Sequence, residues 1–269
     1  MYRVVYHVMD ISEIKQRLEP ALRPAEPPTL EEVLKQVSTH GVLRGPVDWV
    51  FPAWMLYVEY ATQKIAETFQ LSEEERRQLL HFRDTMKQLL LKAWMQTKER
   101  LAALYKTVAE GTYRLERRRL YAPDGAWIYI NEKTAPKVHI YGISAETYFP
   151  DILKLPHKKL ELFQLGWRAS DEGIIANQPV MSTSQPWQLF AWIAIRPGTL
   201  YIYWRCQLNA ERSQRDNKYE SKRLGTEMEQ RRGYRPRYEL FQAWRMDTDI
   251  YNVARRRRIK AKRYFARQV

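Results

Sequence analysis

Residues 112–133 read TYRLERRRLYAPDGAWIYINEK, and here the chain changes its period. Polar and apolar residues alternate on both sides of Pro123-Asp124-Gly125. Alternation around such a turn predicts a β-hairpin, because a pleated strand sends successive side chains to opposite faces. Apart from a strand-like run at Tyr2–Met9, the signals before this stretch are helical. Further strand signals come after it. The expected fold class is therefore α+β: an N-terminal helical region with one long helix, a central mixed β-sheet, and a long basic C-terminal helix.

Upstream, a short amphipathic stretch follows Asp10 and runs into PALRPAEPP, residues 20–28. Four prolines in nine residues favour an extended spacer, since each fixes φ and removes a donor. Such an arm lies along its own domain or reaches a neighbouring subunit. Thr29 with Glu32 has the spacing of a capping box before VLKQV, and Ser72 with Glu75 repeats it. GVLRGPVDWVFPAW reads as a loop with large apolar side chains, with a helix starting near Pro52. From Ser72 the helical period runs to about Glu110, where Gly111 can end it. Its apolar stripe is Leu79, Phe82, Met86, Leu89, Leu90, Ala93, Leu101, Leu104 and Val108. A helix of this length reaches on the order of 55 Å. That exceeds a small domain, so the expectation is subunit contacts or a break near Gln96.

Downstream, KVHIYGI reads as a strand. PWQLFAWIAI reads as a short helix capped by Ser184 with Pro186 in its first turn. TLYIYWRCQL, after the Pro197-Gly198 turn, reads as a strand; a hairpin across that turn is the alternative, because short apolar runs are ambiguous. Residues 209–237 are polar and of mixed charge, which suits a loop or an exposed helical arm. From Tyr238 a helical period resumes through Leu240, Phe241, Trp244, Thr248 and Tyr251. The expected organisation is an arm with a Pro-rich spacer (1–28), a helical region (29–111), an α/β core (112–208), and a polar arm with the basic helix (209–269).

The 45% hydrophobic and 13% aromatic content is that of a folded protein. Cys206 is the single cysteine, which excludes an intramolecular disulfide, a cysteine-rich zinc site and a four-cysteine iron–sulfur cluster. The first residues lack the pattern of a signal peptide. No apolar run approaches the roughly 20 residues that span a bilayer. The expected setting is the cytoplasm, or a virion assembled there.

The net charge of +14 implies an anionic partner. Three clusters carry much of it. Arg114, Arg117, Arg118 and Arg119 sit on the first strand of the hairpin. Arg231, Arg232 and Arg235 flank Tyr234. The end of the chain, VARRRRIKAKRYFARQV (253–269), has eight Arg or Lys and no acid. On a helix, Ala254, Ala261, Tyr264 and Phe265 make a thin apolar seam. Arg255, Arg256, Arg257, Arg258, Lys260, Lys262, Arg263 and Arg267 make a broad cationic surface. Three separated clusters suit the path of a phosphate backbone better than one small anion, and arginine forks onto phosphate oxygens. A membrane surface would need a wider apolar face.

Signals for chemistry are sparse. His7, His40, His81, His139 and His157 show no metal-ligand spacing, and Asp247 and Asp249 point to different helical faces. No cofactor is expected. One pattern does resemble a known family. PDGAWIYINEKTAP, followed by QPWQLFAWIAIRPGTLYIYW, is similar to the RecB-like branch of PD-(D/E)XK nucleases over about residues 112–206. In that family a strand ends in acid-x-Lys-Thr, and a later helix carries Gln with Tyr four residues on. Here Asn131-Glu132-Lys133-Thr134 fills the first pattern with Asn in place of the acid. Gln188 and Trp192 fill the second with Trp in place of Tyr. As a nuclease, the chain would use Asp124, Glu132, Lys133 and Gln188 with a metal ion. Asn131 brings no charge to hold that ion, and Glu132 alternates to the other face of the strand from Lys133. The resemblance thus implies an inactivated nuclease fold that retains nucleic-acid binding.

The function expected from the sequence is a non-catalytic protein that coats or packages DNA or RNA through backbone contacts. It would self-associate, as a nucleocapsid or capsid subunit does. The alternatives are a metal-dependent nuclease and a subunit of a ribonucleoprotein complex.

Overall fold

The computed structural model describes residues 11–116, 119–131, 134–138, 143–175, 178–203 and 241–245. The strand-like run Tyr2–Met9, the polar stretch 209–237 and the expected basic helix lie outside these residues. Six helices and nine strands are described. The helices are α1 (Ile11–Leu22), α2 (Leu30–His40), α3 (Val47–Thr68), α4 (Glu73–Glu110), α5 (His157–Ala169) and α6 (Pro186–Ala194). The first strands are β1 (Arg114–Glu116), β2 (Arg119–Tyr121), β3 (Trp127–Asn131) and β4 (Thr134–Val138). The others are β5 (Ser144–Phe149), β6 (Glu172–Ile175), β7 (Gln178–Thr183), β8 (Gly198–Tyr203) and β9 (Phe241–Arg245). The chain is α+β, as its pattern of periods requires.

Both capping boxes form. Thr29 Oγ1 accepts from the Glu32 amide at 3.3 Å while Glu32 accepts from the Thr29 amide at 2.8 Å. Ser72 and Glu75 repeat the exchange at 3.2 and 2.7 Å. Gly41 ends α2 at φ +71° and Gly111 follows α4 at φ +69°, a conformation that glycine adopts without penalty. All nine residues of the apolar stripe of α4 are buried, and Thr97, also fully buried, fills the step between Ala93 and Leu101.

The chain divides into two compact units, each assembled from separated segments. Unit 1 takes its described residues from 11–57 and 90–143, and unit 2 from 58–89, 144–203 and 241–245. In unit 1 the buried side chains include Ile14, Leu18, Phe51 and Trp54 from the early helices. Leu101, Leu104, Val108 and Leu120 join them from α4 and β2. Asp48 accepts from Trp94 Nε1 at 3.0 Å and pairs with Lys98 at 2.9 Å. In unit 2, Phe82 meets Phe149 and Phe190 edge-on, with ring centres 5.0 and 6.1 Å apart. Such offset contacts suit the ring quadrupoles. The length of α4 is thus used within one chain. Its residues to Leu89 belong to unit 2 and those from Leu90 to unit 1, without the expected break near Gln96.

The strands form two sheets, both antiparallel, where a single mixed sheet was expected. The first has the order β1-β2-β3-β4 and the second β5-β8-β9-β7-β6. The hairpin at Pro123-Asp124-Gly125 joins β2 to β3, with Tyr121 opposite Trp127 and Gly125 at φ +80°. The larger correction concerns Phe241–Arg245. A helical period covers these residues in sequence, yet they form the middle strand of the second sheet, paired to β7 on one side and β8 on the other. Hydrogen-bonded neighbours on both edges outweigh a short stretch of amphipathic spacing.

Smaller differences have local causes. Pro20 lies inside α1, so the extended spacer is shorter than its prolines imply. The helix expected near Pro52 starts at Val47 and includes that proline. The N-cap of α6 is Gln185, not Ser184, with Pro186 at its first positions. Of KVHIYGI, Lys137-Val138 completes β4, residues 139–142 lie outside the described residues, and β5 starts just after it at Ser144. Across Pro197-Gly198 the chain runs from helix to strand, not as a hairpin.

Candidate nucleic-acid interface

Alternation along β1–β3 sorts the hairpin sheet into two unlike faces. Leu115 pairs with Leu120, and Leu120 is completely buried. The residues between them point the other way: Arg114 pairs with Tyr121, Glu116 with Arg119, and Tyr121 with Trp127. Arg114 and Arg119 are exposed, and Tyr121 and Trp127 are half-buried. The backbone register continues from Arg119 to Tyr129 and from Tyr129 to Lys137 on β4.

On this open face each described ring has an arginine over it. The Arg114 guanidinium lies 5.1 Å from the centre of the Tyr121 ring, and that of Arg119 lies 4.5 Å from Trp127. Cation–π pairs at exposed sites contribute about 0.5–1 kcal/mol each. That is enough to bias each arginine toward its ring. Glu116 pairs with Arg114 at 2.7 Å. Both groups are half-exposed or more, so water and salt screen the pair and a phosphate can compete with it.

Of the basic residues marked in the sequence, Arg114 and Arg119 come together here. Arg117 and Arg118, Arg231, Arg232 and Arg235, and the tail from Arg255 through Arg258 to Lys260, Lys262, Arg263 and Arg267 lie outside the described residues. The signal that sequence reading passed over is the aromatic half of the face. Tyr121 and Trp127 read as ordinary strand formers until register sets them beside the arginines.

Three side chains of the nuclease pattern, Asp124, Gln188 and Trp192, have partners within the fold. Asp124 serves the hairpin turn: one carboxylate oxygen accepts from the Ala126 amide at 2.9 Å and the other pairs with Arg100 of α4 at 3.0 Å. Asn131 and Thr134 are backbone partners in the register of β3 and β4, with Glu132 and Lys133 between them outside the described residues. Gln188 and Trp192 belong to unit 2, while Asp124, Asn131 and Thr134 belong to unit 1.

In unit 2 these two side chains take part in a buried polar cluster. The Gln188 amide accepts from the Thr183 hydroxyl and donates to Asp171 at 2.8 Å. Trp192 Nε1 donates to Glu172 at 2.8 Å, and Arg196 grips the same carboxylate through Nε and Nη2 at 2.6 and 2.7 Å. The Glu172 side chain is fully buried and that of Arg196 is 3% exposed. The sequence hint was Arg196 itself, a lone cation closing the apolar helix segment LFAWIAI, which needs an acid when buried.

Among the described residues, no group of three or more His, Cys, Asp or Glu could hold a metal ion, and no helix is long and apolar enough to cross a membrane. Compared with family models, with curated proteins and with solved structures, the chain matches none of them, so this face is read on its own chemistry.

Proposed function

We propose that the chain is a non-catalytic, structural nucleic-acid-binding protein that coats or packages its ligand mainly through the sugar–phosphate backbone. The observation that carries this reading is the row of Arg114, Arg119, Tyr121 and Trp127 on the open face of the first sheet. Guanidinium groups there supply charge and fork geometry for phosphate, and the rings supply flat apolar surface. The net charge of +14 supports it at longer range, by raising the local concentration of any polyanion. Asp124 has both carboxylate oxygens engaged, which favours binding over metal-dependent cleavage.

The test is binding of a labelled oligonucleotide by fluorescence anisotropy across a salt series. Affinity falls as salt rises, with a slope near −0.7 to −0.9 for each phosphate neutralised. Replacing Arg114 and Arg119 together with glutamine flattens that slope by roughly one to two. Failure to bind any polynucleotide in dilute buffer sinks the reading. Magnesium-dependent cutting that disappears in Lys133→Ala would replace it with the nuclease.

A further inference from the structure

We infer that the outer face of α5 docks on an anionic lipid bilayer, with Leu162, Phe163 and Leu165 among the acyl chains and Lys158 and Lys159 at the headgroups. A helix on the outside of a folded unit ordinarily turns a polar side to water. This one does not. Leu160, Gln164 and Trp167 are its half-buried positions, and Gln164 Nε2 donates to the Ile195 carbonyl at the end of α6 at 2.9 Å. On the opposite side, spaced three and four residues apart, come Leu162, Leu165 and Ala169, with Phe163 beside them. Leu162 is 68% exposed, Phe163 55% and Leu165 60%, and no residue of α5 is buried. The strand that follows, β6, is an edge strand among the described residues and carries Ile174 at 69% exposure. Alternation puts Ile174 on the side of Glu172, which reaches α6, so this isoleucine also lies on the helix side of the sheet.

Charge selects the occupant. Lys158 and Lys159 stand exposed in the first turn of α5, and no acid among the described residues pairs with either. The acids nearby have partners: Glu161 lies 3.6 Å from His157, Asp171 accepts from Gln188, and Glu172 is held by Arg196. Unpaired lysines at the end of an apolar face suit the phosphates of an anionic leaflet, which attracts each of them. Nucleic acid offers the same charge but nothing for the leucines and the phenylalanine. A second copy of the chain fits less well. Two α5 helices paired in parallel about a twofold axis would bring each lysine onto its own equivalent; paired antiparallel, they would set Lys159 against Arg168. A bilayer also makes no demand on shape, whereas the convex side of a helix needs a matching groove on a protein.

The experiment is flotation of the full chain, freed of nucleic acid by nuclease, with phosphatidylcholine vesicles that hold roughly one-third phosphatidylserine. The chain floats with these and far less with phosphatidylcholine alone. Charge elsewhere on a +14 chain also draws it to such vesicles, so the apolar residues decide. Leu162→Ser and Leu165→Ser each weaken partitioning by about tenfold or more, as withdrawal of a leucine from the acyl region requires. Lys158→Gln and Lys159→Gln each weaken it by about fivefold at low salt. Should a serine variant not fold, a polarity-sensitive dye on Leu162→Cys reads the same contact, with the single cysteine removed as Cys206→Ser. Its emission shifts to the blue on the anionic vesicles.

A chain that does not float with anionic vesicles, serine variants that float as the parent does, or a dye whose emission stays put would overturn the proposal. So would serine variants that turn an oligomer into monomers in ultracentrifugation while floating unchanged, which would assign the face to a second copy. None of these results bears on oligonucleotide binding, which is measured separately.

Discussion

Glu172 is a carboxylate with no access to water, and the side chains around it show how such a charge is kept. Arg196 holds it through two hydrogen bonds, Trp192 adds a third, and Arg168 approaches to 3.7 Å. A buried pair of this kind is expensive to break and of little value against an apolar replacement. Glu172→Gln keeps an acceptor for Trp192 but takes away the carboxylate charge that the buried Arg196 grips. It should lower stability by about 3 kcal/mol or more in urea unfolding. Glu172→Leu with Arg196→Met should recover most of that loss, since both charges leave together. A recovery that fails would mean that the pair itself determines the packing of α6. Of this cluster the sequence offered only Arg196 and the Gln188–Trp192 spacing. Asp171 and Glu172 gave no sign, because the acids that answer a buried cation come from a different element.

Helix ends were legible because their chemistry is local. Thr29–Glu32 and Ser72–Glu75 sit three residues apart, and nothing distant is needed for them to close. The amide and hydroxyl of Thr29 draw the Glu32 carboxyl below its ordinary pKa. The Ser72 amide, followed by Lys154, does the same for Glu75. A depressed carboxylate stabilises the fold above its unfolded value and loses that contribution as pH falls through the folded one. Glu32→Gln and Glu75→Gln should therefore be less stable than the parent at pH 7, with the gap closing between about pH 5 and pH 3 in denaturant titrations. Ser72→Ala should cost about 1 kcal/mol at neutral pH. Gly111→Ala isolates backbone conformation, since no atom lies within 4 Å of an added Cβ while φ is +69°. A melting experiment should read a loss of about 1 kcal/mol, all of it from the left-handed turn. Sheet membership was less legible. FQAWR carries a helical spacing and a strand alternation at once, and the choice between them is made by β7 and β8, some sixty and forty residues away.

On the scale of the whole molecule, charge and chain path dominate. A surplus of +14 makes any polyanion complex strongly dependent on salt. If six to ten phosphates are engaged, affinity should fall by about 10³ to 10⁵ between 50 and 200 mM salt. Removing residues 254–269 should weaken binding and flatten that dependence, and an unchanged slope would exclude the tail from the contact. The net charge was fully legible beforehand, since charge needs no fold to be counted. It did not give the allotment of α4 to two cores, because one unbroken stripe of nine buried residues looks the same whether it serves one core or two. That interleaving governs how the protein can be made. The ribosome delivers residues 58–89 well before their partners from 144 onward, and the middle strand of the second sheet arrives with Phe241–Arg245, after both strands that it joins. A nascent chain must leave each core unfinished until its last segment arrives, and no contiguous stretch of the sequence encodes one core without part of the other.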